Sequence, residues 1–286
     1  MLTAEWSLVF FTVIVQVAAG MLLAAETAKT TVRLETGGLL RLQAPIACGL
    51  VALGFIFSGA HLGSPMHSLF TLFNVPHSPL SREIVAVGLL LAAAIALAYL
   101  RLKKGNEAKV LGIVAALLGI VAVLSMTRVY MVSTVPVWNN SATWLGFLGT
   151  MLLVGPMIAG TVFLYQAKGA SDVDARPMFK VFSIIFAVGF ALKLIGIPMS
   201  TAAFSSLSQL GLSSYSPIAG AGTALFITRL LLLIVGVGLF CKVVLGVQGD
   251  GRTPRMNLCA CAALLVVMGE LLDRAMFFGA YARIGL

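Results

Sequence analysis

Charge is scarce in this sequence. Only 10% of its 286 residues are Asp, Glu, Lys or Arg, where soluble domains carry roughly 25%. A chain this poor in charge cannot cover a water-facing surface, which excludes an ordinary soluble domain. Acid is scarcer than base, with 10 Asp and Glu against 19 Lys and Arg and a formal charge of +9. A basic balance suits nucleic acid or a membrane surface. The 60% hydrophobic content and a mean hydropathy of +1.04 select the membrane and argue against nucleic acid. Histidine is scarcer still. His61, His67 and His77 all fall in one predicted helix end and the loop after it. A bis-histidine haem needs ligands on two facing helices, so this chain lacks the means to hold one. The four cysteines, Cys48, Cys241, Cys259 and Cys261, form no CxxC or CxxCH and lie in apolar stretches. That excludes an iron–sulfur cluster, a zinc site or a disulfide framework, and leaves small core-filling thiols.

What is abundant is long apolar runs. A membrane span needs roughly 20 such residues. Eight segments qualify: Trp6–Ala25, Gln43–Ala60, Glu83–Leu100, Lys109–Thr127, Trp144–Tyr165, Lys180–Ile197, Ile218–Leu245 and Met256–Gly279. Pro45 suits a first helical turn, Pro156 marks a kink, Pro198 is expected to stop the sixth span, and Pro217 to begin the seventh. No cleavable-signal pattern precedes the first span: Glu5 stands where a basic run is expected, and Trp6–Ala25 is long enough to stay in the membrane. The predicted fold is all-α: a polytopic helix bundle forming a single integral membrane domain over residues 1–286.

Basic residues orient it. Thirteen lie in one set of loops or their flanks: Lys29, Arg33, Arg41, Arg101, Lys103, Lys104, Lys109, Lys168, Arg176, Lys180, Lys242, Arg252 and Arg255. The opposite set holds Arg82, Arg128 and Arg283, and Lys193, Arg229 and Arg274 fall within spans. Loops rich in Lys and Arg stay cytoplasmic, so both termini are expected outside.

Ionisable groups within spans are costly and mark function. His61 ends the second span and Glu83 opens the third; Arg128 and Tyr130 end the fourth; Lys193 lies late in the sixth and Arg229 early in the seventh. Glu270, Asp273 and Arg274 lie in the second half of the eighth. By the alternation of spans they fall in the outer half of the membrane, and the inner half reads as almost purely apolar. Plainer readings stand beside this one. Lys193 and Arg82 have the reach to snorkel to the interface. Glu270 and Arg274, at i,i+4, suit an intrahelical pair. Arg128 suits a helix-end anchor, His61 a satisfied core histidine, and His67 and His77 a solvated or partner-facing loop. Taken together the layer resembles a site. A quinol headgroup at membrane depth has two hydroxyl protons to lose, and needs an acceptor for each. A histidine titrating near neutrality and a carboxylate, here His61 and Glu83, fit those roles. With no haem or cluster in the chain, any electrons pass directly to a neighbouring subunit.

The stretch His61-Leu-Gly-Ser64-Pro-Met, with Leu80-Ser-Arg-Glu83-Ile, resembles the membrane anchor subunit of the bacterial anaerobic dimethyl sulfoxide reductase family. So do Arg128-Val-Tyr130, Thr134-Val-Pro-Val-Trp138 and Gly269-Glu-Leu-Leu-Asp273-Arg274 with Phe277-Phe-Gly279. The resemblance runs from the first span to the last. It implies an eight-helix anchor in the bacterial inner membrane that oxidises menaquinol near the periplasmic face. Electrons would pass to an iron–sulfur subunit and then to a molybdopterin catalytic subunit reducing dimethyl sulfoxide or a related S- or N-oxide. It also implies that His61 and Glu83 act on the quinol; beside them the polar layer offers Ser64, Arg128, Tyr130, Arg229, Asp273 and Arg274 as further quinone-binding candidates, and no metal site is expected. One departure stands out: Asp273 occupies a position where a small residue is expected. A transporter, or an anchor that docks a soluble enzyme without touching quinol, are the alternatives. Inverted hydropathy symmetry would favour the first, and full electron flux without His61 the second. The outer loops Leu62–Arg82, Ser133–Thr143 and Met199–Thr223 are expected to dock the iron–sulfur partner, with Phe204, Leu207 and Leu210 lying flat on the membrane surface.

Overall fold

A computed structural model of the protein describes residues 6–32, 38–61, 74–103, 108–168, 173–210, 221–247 and 254–281, without the side chains of residues 61, 221, 254 and 255. Eight helices fill it: α1 (Trp6–Thr31), α2 (Gln43–His61), α3 (Pro79–Lys103), α4 (Lys109–Tyr130), α5 (Ser141–Gln166), α6 (Arg176–Gln209), α7 (Ala221–Val247) and α8 (Pro254–Gly279). Each is long and apolar enough to cross a membrane, as the sequence predicts. Consecutive helices pack as pairs, α1 on α2, α3 on α4, α5 on α6 and α7 on α8. Successive crossings alternate in direction. The starts of odd helices and the ends of even helices therefore share one end of the bundle with the termini, called here the terminal end.

The first helix is the axle of the bundle. In its most apolar stretch 78% of residues are buried inside the protein, against 28% for α6, and it packs on α2, α4, α5, α6 and α8. Small residues make this possible. Between helices in lipid there is no hydrophobic drive to associate, so close backbone approach supplies the attraction. Gly20 meets α5 so closely that a Cβ there would overlap the Met151 carbonyl oxygen, and a Cβ on Gly155 would overlap the Gly20 backbone. On its other side Ala19 packs on Gly119 of α4, where a Cβ would sit 3.1 Å from the Ala19 Cβ. The outward faces of α4, α6 and α7 carry Val110, Ile184 and Ile234 exposed, as a lipid-facing surface requires.

The sixth span departs from expectation. Pro198 does not end it: α6 runs on to Gln209. A proline removes one helical hydrogen bond and crowds the turn before it. Here the hydroxyls of Ser200 and Thr201 donate to the Ile197 carbonyl at 3.0 and 2.8 Å, holding the turn that follows. At 1.5 Å per residue, the 34 residues of α6 make it about 50 Å long, longer than a hydrocarbon core of about 30 Å. Phe204 is buried rather than laid flat on the membrane surface, because this extension folds it inward over the bundle. The remaining predicted spans lengthen by a few residues at one or both ends, apart from α7, which starts at Ala221.

The half of the bundle away from the terminal end, expected to be almost purely apolar, is not. Glu26 of α1 and Arg101 of α3 form a buried two-pronged pair, both oxygens accepting at 2.7 Å from the two Nη atoms. A Cβ at Gly112 of α4 would collide with the Glu26 carboxylate, so glycine is what lets α4 close over the pair. Glu26 lies one residue past the predicted end of the first span, and the helix continues to Thr31 because Arg101 neutralises that carboxylate inside the bundle.

Candidate functional site

The polar groups of the terminal half separate into two places. The larger is a buried ion network across α5, α6, α7 and α8. Glu270 Oε2 accepts from Thr150 Oγ1 at 2.6 Å and from the Lys193 ammonium. Lys193 Nζ also donates to Asp273 Oδ2 at 3.2 Å, and Arg229 Nη1 pairs with Asp273 Oδ1 at 2.8 Å. Arg274 Nη2 donates to Gln16 Oε1 of α1 at 3.3 Å. Its guanidinium lies 3.7 Å from the centroid of the Phe147 ring, in cation–π range. Lys193, Arg229, Glu270 and Arg274 are all buried.

Two expectations fail here. Lys193 does not snorkel: its side chain is 1% exposed, because two carboxylates on α8 capture the ammonium inside the protein. Glu270 and Arg274 do not form the intrahelical pair their spacing allows. Each has its own partners on neighbouring helices, Glu270 with Lys193 of α6 and Thr150 of α5, Arg274 with Gln16 of α1 and Phe147 of α5. Asp273, at a position where a small residue is expected, is the carboxylate shared by Arg229 and Lys193. Three cations and two carboxylates leave the network with one positive charge in excess.

A cleft opens over this network. It is lined by Lys193, Arg229, Asp273 and Arg274 together with Phe147, Phe204 and Phe277. Gly146 of α5 faces it with open space, since a Cβ there would meet no atom within 4 Å. Beside the cleft, an aromatic cluster closes the terminal end. Tyr130 packs edge-on against Trp138, Phe277 and Phe278 with centroids 5.3–5.5 Å apart. Trp138 stacks on Phe277 at 5.4 Å and donates its indole N–H to the Phe277 carbonyl at 2.8 Å.

The second place is the start of α3, which packs on α2 and α4. Glu83 is buried there, and its Oε1 has no hydrogen-bond partner among the described residues. His61 is the last residue of α2; its side chain, with Ser64 and His67, lies outside the described residues, as do 62–73 of the expected docking loop and 211–220 of the last one. Arg128 is exposed and donates to the Met131 carbonyl at 2.8 Å at the end of α4, so it belongs to neither buried group. Arg82 folds back onto the carbonyls of Val75 and Pro76.

Gln16 and Thr150 are network members that sequence reasoning passed over. A lone amide inside Val15-Gln16-Val17 is a visible signal. Thr150 is not, because threonine occurs in spans for many reasons, commonly bonding the carbonyl a turn back, as it also does here to Gly146.

The fold and its buried ion network define a polytopic helical membrane subunit with no soluble domain among the described residues. Residues 1–280 match the model of the DMSO reductase anchor subunit (DmsC) family, and the protein belongs to that family. It is similar to the C subunit of anaerobic dimethyl sulfoxide reductase from Escherichia coli (strain K12), with 31% identity over 99% of this sequence and 96% of the relative. The YnfH subunit of the same organism is 29% identical over the same shares, and the corresponding C subunit of Haemophilus influenzae 26%. The protein is thus a multi-pass inner-membrane protein with the role of a membrane anchor subunit.

Proposed function

We propose that this anchor oxidises menaquinol at the terminal end of the bundle. It hands the electrons to an iron–sulfur subunit that feeds a molybdopterin catalytic subunit, for reduction of dimethyl sulfoxide or a related S- or N-oxide. One observation carries the reading: Glu83 is a buried carboxylate with an unpartnered oxygen, at the helix start beside the helix that ends in His61. A buried polar atom without a partner is costly and calls for an explanation. A quinol hydroxyl, donating to Glu83 Oε1, supplies one. Oxidation then releases two protons and two electrons from the quinol. Glu83 takes one proton and His61 the other, and both electrons leave to the partner's nearest cluster. With the basic loops cytoplasmic, the protons emerge outside. Ser64 belongs to the same reading as a group that orients the ring, whereas Arg128, exposed, and Tyr130, packed in the aromatic cluster, do not.

Glu83→Gln keeps size and burial but removes the proton acceptor; His61→Arg keeps a donor and removes the neutral base. Both variants should lose quinol-driven reduction while the assembled complex stays active with reduced viologen, which bypasses the anchor. Normal quinol turnover in both would defeat the reading and leave an anchor that only docks its partners. Loss of viologen activity as well would mean that assembly failed.

A further inference from the structure

The network between α5, α6, α7 and α8 brings three cations to two carboxylates, so one positive charge has no formal partner inside it. Lys193, Arg229 and Arg274 are 1%, 4% and 3% exposed. A charge taken out of water is costly unless it is paired. The Phe147 face against Arg274 offsets part of the surplus, but the ring carries no net charge to cancel it.

All three cations also line the cleft. Asp273 is the one carboxylate among its lining residues, and both its oxygens are engaged, by Lys193 and Arg229. The cleft holds about 30 Å³ of space, which suits a single particle of water size or slightly larger.

We propose that this cleft is a site for one small inorganic anion of halide size, which supplies the missing negative charge and holds the four helices together at the terminal end. Arg229 is its main donor. It engages Asp273 through Nη1 at 2.8 Å; its other guanidinium nitrogens have no hydrogen-bond partner among the described residues, yet neither is sealed off as Arg274 Nε is. Their N–H groups therefore open on the cleft that Arg229 lines. The start of α5 adds to the field. Asn140, Ala142 and Thr143 line the cleft, and the first turn of a helix carries partial positive charge. Water in the same space would answer the hydrogen bonds and leave the surplus charge unpaired. The site shares no residue with the start of α3, so it stands or falls independently of quinol oxidation at Glu83.

The complex, purified with its partner subunits in gluconate, an anion too large for the cleft, would be heated in rising chloride at constant ionic strength. The amount of anchor remaining soluble in detergent is followed over time. An ion bound by the folded form alone should slow this loss, saturably, by about tenfold when its concentration is ten times its dissociation constant. Bromide should act as chloride does. Gly146→Val fills the cleft and leaves every charge in place; Arg229→Gln removes the surplus charge and leaves the space. Each should lose the chloride response, and should one fail to assemble, the other decides. Equal rates of loss in chloride and gluconate would overturn the site and leave the cleft to water. A chloride response undiminished in the variants would put the ion elsewhere and overturn it as well.

Discussion

Lys193 of α6 reaches two carboxylates on α8, Glu270 and Asp273, and is 1% exposed in doing so. This ties the helix with the long terminal extension to the last helix of the bundle. Breaking one side of a buried ion pair leaves an uncompensated charge, at a cost of about 3–5 kcal/mol. Lys193→Met should therefore sharply lower the amount of assembled complex in membranes. Lys193→Met with Glu270→Gln should recover part of it, since removing both charges restores most of the balance. Quantifying the subunit after mild detergent extraction, and its thermal inactivation, checks this. A loss in the double variant equal to the sum of the Lys193→Met and Glu270→Gln losses would show that the pair is not coupled.

At the opposite end of the bundle, Gly112→Ala should mimic loss of the Glu26–Arg101 pair. Its Cβ collides with the carboxylate and forces the two apart. Gly112→Ala and Glu26→Gln are each expected to destabilise the anchor, and their combination should cost less than the sum of the two. Thermal unfolding of the detergent-solubilised protein measures it; full additivity would mean that Gly112 acts elsewhere.

The α1–α5 crossing makes a sharper contrast. Gly20→Leu should abolish the folded anchor, because backbone occupies the space the side chain needs. Gly238→Ala, on an exposed face of α7 with nothing within 4 Å of its Cβ, should be neutral or slightly stabilising. Protease resistance in membranes separates the two, and a well-folded Gly20→Leu variant would refute the axle role of α1.

Orientation has a direct assay. With the basic loops cytoplasmic, alkaline phosphatase fused after Leu286 should be active, and green fluorescent protein exported by the general secretory route should be dark. Cysteines at Asn139 and Ser206, both exposed at the terminal end, should then crosslink to the iron–sulfur subunit. Asn140 is a poor choice for this, since its amide oxygen caps α5 by accepting from the Ala142 N–H at 2.9 Å. Dark phosphatase with bright fluorescence would invert the topology.

The eight spans were legible in the sequence because hydrocarbon allows few alternatives: an apolar run of about 20 residues that meets no water must satisfy its own backbone, and a helix does so. Family membership was legible in His61-Leu-Gly-Ser64-Pro, and so was the concentration of ionisable side chains towards one end. Which of those groups meet was not. Glu270 and Arg274 satisfy the i,i+4 rule yet pair with other helices rather than with each other, because partners from α1, α5 and α6 offer more than a neighbour on the same helix. Lys193 had the reach to snorkel, and only the folded bundle brought two carboxylates of α8 within that reach. Nor did hydropathy single out α1 as the axle. Its composition matches that of a lipid-facing span, and what buries it is the coincidence of Gly20 with Gly155 and of Ala19 with Gly119, a register that only the packed bundle sets.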